Sequence, residues 1–127
     1  MTSEEATKVW ELPCKSQEFQ ASPSLIQRGD RLELVYDYET ESGQYQHATI
    51  TFRGVEAFFF TSFESCSPDQ VAAYDRVVAI RASEWLKQLR SRRAIEESLA
   101  RHYRIFFDDV GCYEVIASEF CPPDHPC

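Results

Sequence analysis

Arg31-Leu32-Glu33-Leu34-Val35-Tyr36-Asp37-Tyr38-Glu39 is the stretch on which the fold turns. Leu32, Leu34, Tyr36 and Tyr38 alternate with Arg31, Glu33, Asp37 and Glu39. That two-residue period belongs to a strand with one face in a core and one in water. Glu41-Ser42-Gly43-Gln44 reads as a turn, and a second strand returns with Ala48, Ile50 and Phe52 opposite His47, Thr49, Thr51 and Arg53. Gly54 then marks a bulge or bend, as an isolated glycine inside a strand pattern often does. The next run, Val55 to Ser62, is aromatic on both faces at Phe58, Phe59 and Phe60. Such a run predicts a strand covered on both sides, hence a central one.

The pattern changes after this β-rich block. Ser67-Pro68-Asp69-Gln70 places serine at an N-cap, proline at the first helical position and glutamine where it closes a capping box. A short helix through Val71, Ala72 and Tyr74 is expected. Val77 to Ala82 is β-branched enough to be a strand. Ser83-Glu84 starts a second helix, with Trp85, Leu86 and Leu89 on one face; its reach toward Ala100 is open, because Arg92 and Glu96 interrupt the apolar arc. A hairpin closes the chain. Tyr103, Ile105 and Phe107 alternate with His102, Arg104, Phe106 and Asp108, the turn is Asp109-Val110-Gly111, and Cys112 to Phe120 returns. Residues 121–127, with three prolines, predict an irregular tail, and residues 1–25 a loosely ordered arm with a short strand at Lys8–Leu12. The expectation is one α+β domain: a mainly antiparallel sheet of five or six strands with two short helices on one face.

Composition bounds the function. The chain has 127 residues, 43% of them hydrophobic, enough for a core that folds without disulfides or a metal. The net charge is −8 and lies in the first part: 13 acidic and 5 basic residues up to Asp75, then 8 and 8. This balance works against nucleic acid and anionic membranes. The acidic start lacks the pattern of a signal peptide, and no run approaches a membrane span, so a cytoplasmic location with reduced cysteines is expected.

Several groups invite a chemical reading, and each has an ordinary alternative. Cys121, His125 and Cys127, with Cys14 as a fourth ligand, have zinc-binding side chains, but their spacing matches no common zinc knuckle. A flexible Pro-rich tail with incidental thiols is the reading the residues favour, and no metal or cofactor is expected. Cys66 precedes a helix N-terminus, which favours a thiolate, yet it needs a base from His47 or His102. His102 and Arg104 share one face of the last hairpin, where they are candidate catalytic residues or plain hydrogen-bonding groups. Asp108-Asp109 reads as turn chemistry rather than a cation site. Arg90-Ser91-Arg92-Arg93 with Lys87 is a basic cluster that a helix C-terminus accommodates, so RNA binding is disfavoured. The four glycines are isolated, which excludes a glycine-rich phosphate loop. Tyr36, Tyr38, Tyr45, Tyr74 and Tyr113 form a surplus that could line a partner surface, where tyrosine is enriched.

Gly54-Val55-Glu56-Ala57, Ala73-Tyr74-Asp75-Arg76, Ser83-Glu84-Trp85-Leu86 and the run His102 to Asp109, in that order, resemble a group of small bacterial proteins. That group is similar in size and acidity to immunity proteins, which neutralise a toxin by binding it. The resemblance implies a protein-binding role and transfers no functional residue. The expectation is therefore a non-catalytic module docking a basic protein partner, with a homodimer also open. The alternative is a small enzyme or ligand-binding domain with a pocket between sheet and helices, using His102, Arg104 and Asp108.

Overall fold

The computed structural model describes residues 5–92 and 99–124. Nine strands occur there: β1 (Glu5–Glu11), β2 (Ser24–Arg28), β3 (Arg31–Glu39), β4 (Tyr45–Arg53), β5 (Ala57–Ser62), β6 (Arg76–Arg81), β7 (Arg101–Phe107), β8 (Gly111–Ala117) and β9 (Glu119–Cys121). They form two antiparallel sheets, not the single sheet of five or six strands expected. One runs β1-β6-β7-β8-β5, the other β2-β3-β4-β9. Two short helices, α1 (Pro68–Val71) and α2 (Glu84–Ser91), accompany the five-stranded sheet. None of the described helices is long and apolar enough to cross a membrane.

The alternating stretch at Arg31 becomes β3, paired with β4 so that Leu34 faces Ile50 and Leu32 faces Phe52. These side chains point inward and meet one face of the other sheet. Tyr103, Ile105 and Phe107 of β7, with Tyr113, Val115 and Ala117 of β8, complete that cluster. Removing each such side chain from water contributes roughly 1.5–3 kcal/mol. The opposite face of the five-stranded sheet holds a smaller cluster, Val78, Ile80, Phe106 and Cys112 with Ala73. β7 and β8 are thus buried on both faces, and their alternate residues belong to different layers.

Four sequence expectations change here. The N-terminal arm is part of the fold: β1 pairs with β6, and Leu12 is buried in the main core. The helix begun at Ser67 stops at Val71, because Tyr74 bridges to Phe106 and Asp75 takes a left-handed backbone, φ 54. The strand returning from Gly111 breaks at Ser118, and its last residues join the other sheet as β9. Gly54 explains that break: a Cβ there would lie 2.1 Å from Ser118 Oγ, so the chain passes this corner only without a side chain. Finally, the aromatic run is an edge strand. Among the described residues β5 pairs with β8 alone, and Phe58, Phe59 and Phe60 are exposed rather than central.

Candidate functional site

The hairpin β7–β8 brings His102 and Arg104 together on a residue that the sequence pattern did not single out, Glu114. Register places Arg104 directly opposite Glu114 and His102 opposite Ile116, all on the helix-facing side. His102 Nε2 lies 2.6 Å from Glu114 Oε1, and Arg104 Nε donates to the same oxygen at 2.9 Å. Gln70 of α1 donates through Nε2 to Glu114 Oε2 at 2.8 Å and to Thr61 Oγ1 at 3.1 Å. On the far side of the imidazole, Ser83 Oγ lies 2.7 Å from His102 Nδ1. That hydroxyl already accepts the Leu86 amide at 3.1 Å as the N-cap of α2. The one hydroxyl therefore ties the imidazole to the start of α2.

Both helix caps are wired into this cluster. Gln70 closes the capping box of α1, accepting the Ser67 amide at 2.9 Å through Oε1 while its own amide donates to Ser67 Oγ. One side chain thus fixes a helix start and satisfies a buried carboxylate. Burial pushes the Glu114 carboxyl up, but the bonds from His102 and Gln70 and the Arg104 guanidinium outweigh it, so the group sits below its ordinary range. The set is a satisfied buried network, the condition under which buried charge is tolerated.

A serine, a histidine and a glutamate in line suggest nucleophilic chemistry, and the surroundings argue otherwise. Ser83 and His102 are each 3% exposed. Trp85 stands edge-on to the imidazole, centroids 5.1 Å apart, and Phe59 stands edge-on to Trp85 at 4.8 Å. Surface depressions of about 650, 340 and 360 Å³ lie elsewhere, and none is lined by Ser83, His102, Arg104 or Glu114. A reacting atom must approach to within about 3–3.5 Å, and these side chains leave it no path.

The remaining candidates separate. Cys66 donates weakly to the Thr61 and Ser62 carbonyls, and burial together with the nearby Glu114 charge pushes its thiol up, against the lowering expected at a helix start. The cause is local: α1 spans four residues, and its Gln70 amide is taken by Ser67. Cys121 is disulfide-bonded, which corrects the expectation of reduced cysteines and removes it as a thiolate ligand. His125 and Cys127 lie outside the described residues. Cys14, a free thiol, is pushed up to about 11 by burial and the Asp75 carboxylate. No group of three or more potential metal ligands is found among the described residues. Asp109 takes the left-handed turn position, φ 58, and the Asp108 amide donates to Ser16 Oγ at 2.8 Å. Arg90 donates to the Ala100 carbonyl at 2.9 Å, a bond between the last turn of α2 and the start of β7. Arg93 lies outside the described residues, as do residues 94–98, so the open reach of α2 toward Ala100 falls there too.

Of the five tyrosines expected to line a partner surface, Tyr45 is exposed at 38%, and most of the exposed aromatic surface is phenylalanine. Tyr36 and Tyr113 are buried, while Phe58, Phe59, Phe60 and Phe63 are exposed at 38, 41, 46 and 42%. Three of them rest on one ring each: Phe60 lies 4.8 Å from Tyr113 and Phe63 5.8 Å from Phe106, both on the sheet, and Phe59 lies 4.8 Å from Trp85 of α2. Gly111 makes this seating possible, because a Cβ there would fall 2.1 Å from the Thr61 carbonyl and 2.8 Å from the Phe60 ring. The signal for this surface was present in the sequence as three consecutive phenylalanines, and only the sheet order shows that it faces out. No protein-family model matches the chain, and neither a curated protein nor a solved structure does.

Proposed function

We propose that this chain is a non-catalytic protein-binding module that docks a basic partner along the β5 edge. The observation that carries the reading is the row of half-exposed phenylalanines on an edge strand, in a molecule whose polar cluster is sealed. Contiguous exposed apolar surface on a folded chain marks an interaction site. The acidic part of the chain adds the sign: residues 54–75, which include β5, hold Glu56, Glu64, Asp69 and Asp75 and no lysine or arginine. Such a surface steers a cationic partner and gives salt-sensitive association.

The test is positional. A photoreactive benzophenone side chain in place of Phe59 should form a discrete adduct with one host protein, and the same group in place of exposed Gln27 on β2 should not. That protein, once identified and purified, should bind the wild-type chain and lose affinity for Phe59→Lys. Identical adducts from both positions, or none from position 59, would end the docking reading.

A second reading, small-ligand binding, is favoured by the 650 Å³ depression, which Trp10, Tyr36, Tyr38, Arg31, His47 and Pro122 help to line. It lies on the β3–β4 sheet, away from the phenylalanine edge. A ligand seated there would quench Trp10 fluorescence, and Trp85→Phe leaves Trp10 as the sole tryptophan reporter.

A further inference from the structure

Four strands end the two sheets, and three of them carry a device that blocks further pairing. β1 bears Lys8, and its register with β6 shifts between Lys8 and Trp10. β2 follows Pro23 and ends on Arg28, and β9 has three residues followed by Pro122 and Pro123. Charge, proline, shortness and register breaks are the means by which edges are closed to other chains. β5 has none of them. Its six residues, Ala57-Phe58-Phe59-Phe60-Thr61-Ser62, are uncharged, contain no proline and pair with β8 from Ala57↔Ile116 to Ser62↔Gly111 without a shift.

We propose, resting on the docking reading above, that β5 accepts an extended strand of the partner as the sixth strand of this sheet. The incoming strand is apolar along its length and carries lysine or arginine at its ends. A strand added beside β5 would lie about 4.8 Å away, with alternate side chains on opposite faces. On one face they would meet Phe59 with Trp85 behind it, and on the other Phe58 and Phe60 with Tyr113 behind. Main-chain bonds supply affinity in this mode, and side-chain alternation supplies selectivity.

Charge chooses the occupant. Glu56 and Glu64 bracket β5, and Asp108 and Asp109 line the depression of about 340 Å³ beside Phe63. A second copy of this chain would bring the same strand with the same brackets. Paired antiparallel about Phe60, it would bring Glu56 of each copy toward the turn carrying Glu64 of the other, where like charges repel. A strand with cationic ends meets the complementary field instead.

The experiment uses the whole chain, labelled with ¹⁵N, and two short peptides of alternating valine and threonine. One has a pair of lysines at each end, the other a pair of glutamates. The lysine peptide should bind at least about tenfold more tightly at low ionic strength, and the margin should shrink as salt is added. Its shifts should centre on residues 57–64, with amide exchange slowed along β5. Glu56→Lys with Glu64→Lys, both at exposed positions, should reverse the preference. Equal binding of the two peptides, no binding of either, or shifts centred on β1 or β2 would overturn strand addition. So would a concentration-dependent dimer in which the β5 amides become protected, since that assigns the edge to a second copy. A partner crosslinked at position 59 together with no peptide preference would leave docking standing and remove only this mode.

Discussion

β5 and β7 lie on either side of the same sheet region, β5 directly against β8 and β7 against its other edge, and they invert the usual rule for what is buried. β7 hides His102 and Arg104 among its residues, whereas β5 leaves Phe58, Phe59 and Phe60 open to solvent. The difference is positional. β7 is central, with a core on one face and helices on the other, so a polar residue there survives only if every donor and acceptor is met. β5 has one neighbour, and apolar side chains can remain on it only where something else covers them or where exposure serves binding. The contrast teaches that location in the sheet order, not hydrophobicity, decides which strand buries polar side chains and which leaves apolar ones in water.

The comparison breaks most severely at Glu114. Glu114→Ala leaves the Arg104 guanidinium and the His102 ring buried without their acceptor and should cost about 3–5 kcal/mol, a large part of the ~5–15 kcal/mol that holds a domain together. Urea titration would read this directly, and a loss within ~1 kcal/mol would show that the cluster is not a buried network. Next comes Gly111→Ala, where the new methyl meets the Thr61 carbonyl and the Phe60 ring at a φ of 140 that suits glycine alone. It should cost ~1–3 kcal/mol and speed amide exchange in β5 ahead of β7, separating the two strands. Uniform acceleration across the sheet would deny that the edge opens as a unit.

A smaller effect is expected from pH. The folded Glu114 carboxyl lies below its ordinary range despite the burial that opposes this. Its contribution is therefore fully present above the ordinary value of about 4.3 and is lost as pH falls through the depressed folded value. Glu114→Gln removes that linkage, so its stability should fall less steeply than the wild type's across the same acid window. Parallel acid limbs for the two proteins would assign the loss to other carboxylates. The least change should follow Phe58→Thr. Threonine suits a strand, and Phe58 is already 38% exposed, so the stability cost should stay within about 1 kcal/mol. Capture of the partner should nevertheless fall, and a variant that loses stability without losing capture would place the contact surface elsewhere.

Much of the framework was readable in the residues. The alternation at Leu32, Leu34 and Tyr36, the capping box Ser67–Gln70, the helix start at Ser83 and the hairpin around Gly111 all appear as the local rules require. These signals act within a few positions of one another. Legibility failed where the determinant is distant. Nothing near Phe58 says whether a sixth strand covers it, since that depends on where residues 111–116 end up. Two sheets instead of one followed from Gly54 meeting Ser118, a contact invisible along the chain. Glu114 was passed over because a single acid among Cys112, Tyr113, Val115 and Ile116 reads as a solvated position. Its place opposite Arg104, in a strand buried on both faces, makes it the anchor of the cluster. A charged residue in an otherwise apolar strand, set across a hairpin from an opposite charge, is the sign that would have found it.

The Gly54–Ser118 corner also sets an order of assembly. Ser118 donates to the Arg53 carbonyl across 65 positions, and on either side of that point β4–β9 and β5–β8 form one bent ribbon passing from sheet to sheet. The hairpins β3–β4 and β7–β8 close over short turns and bear little loop-closure entropy, whereas this ribbon must join segments far apart in the chain. Pulse-labelled exchange during refolding should protect those hairpins first and β5 late. The strand with the open edge is then also the last to be gathered in. During that interval its phenylalanines lie open on a partly folded chain, where they are an aggregation hazard.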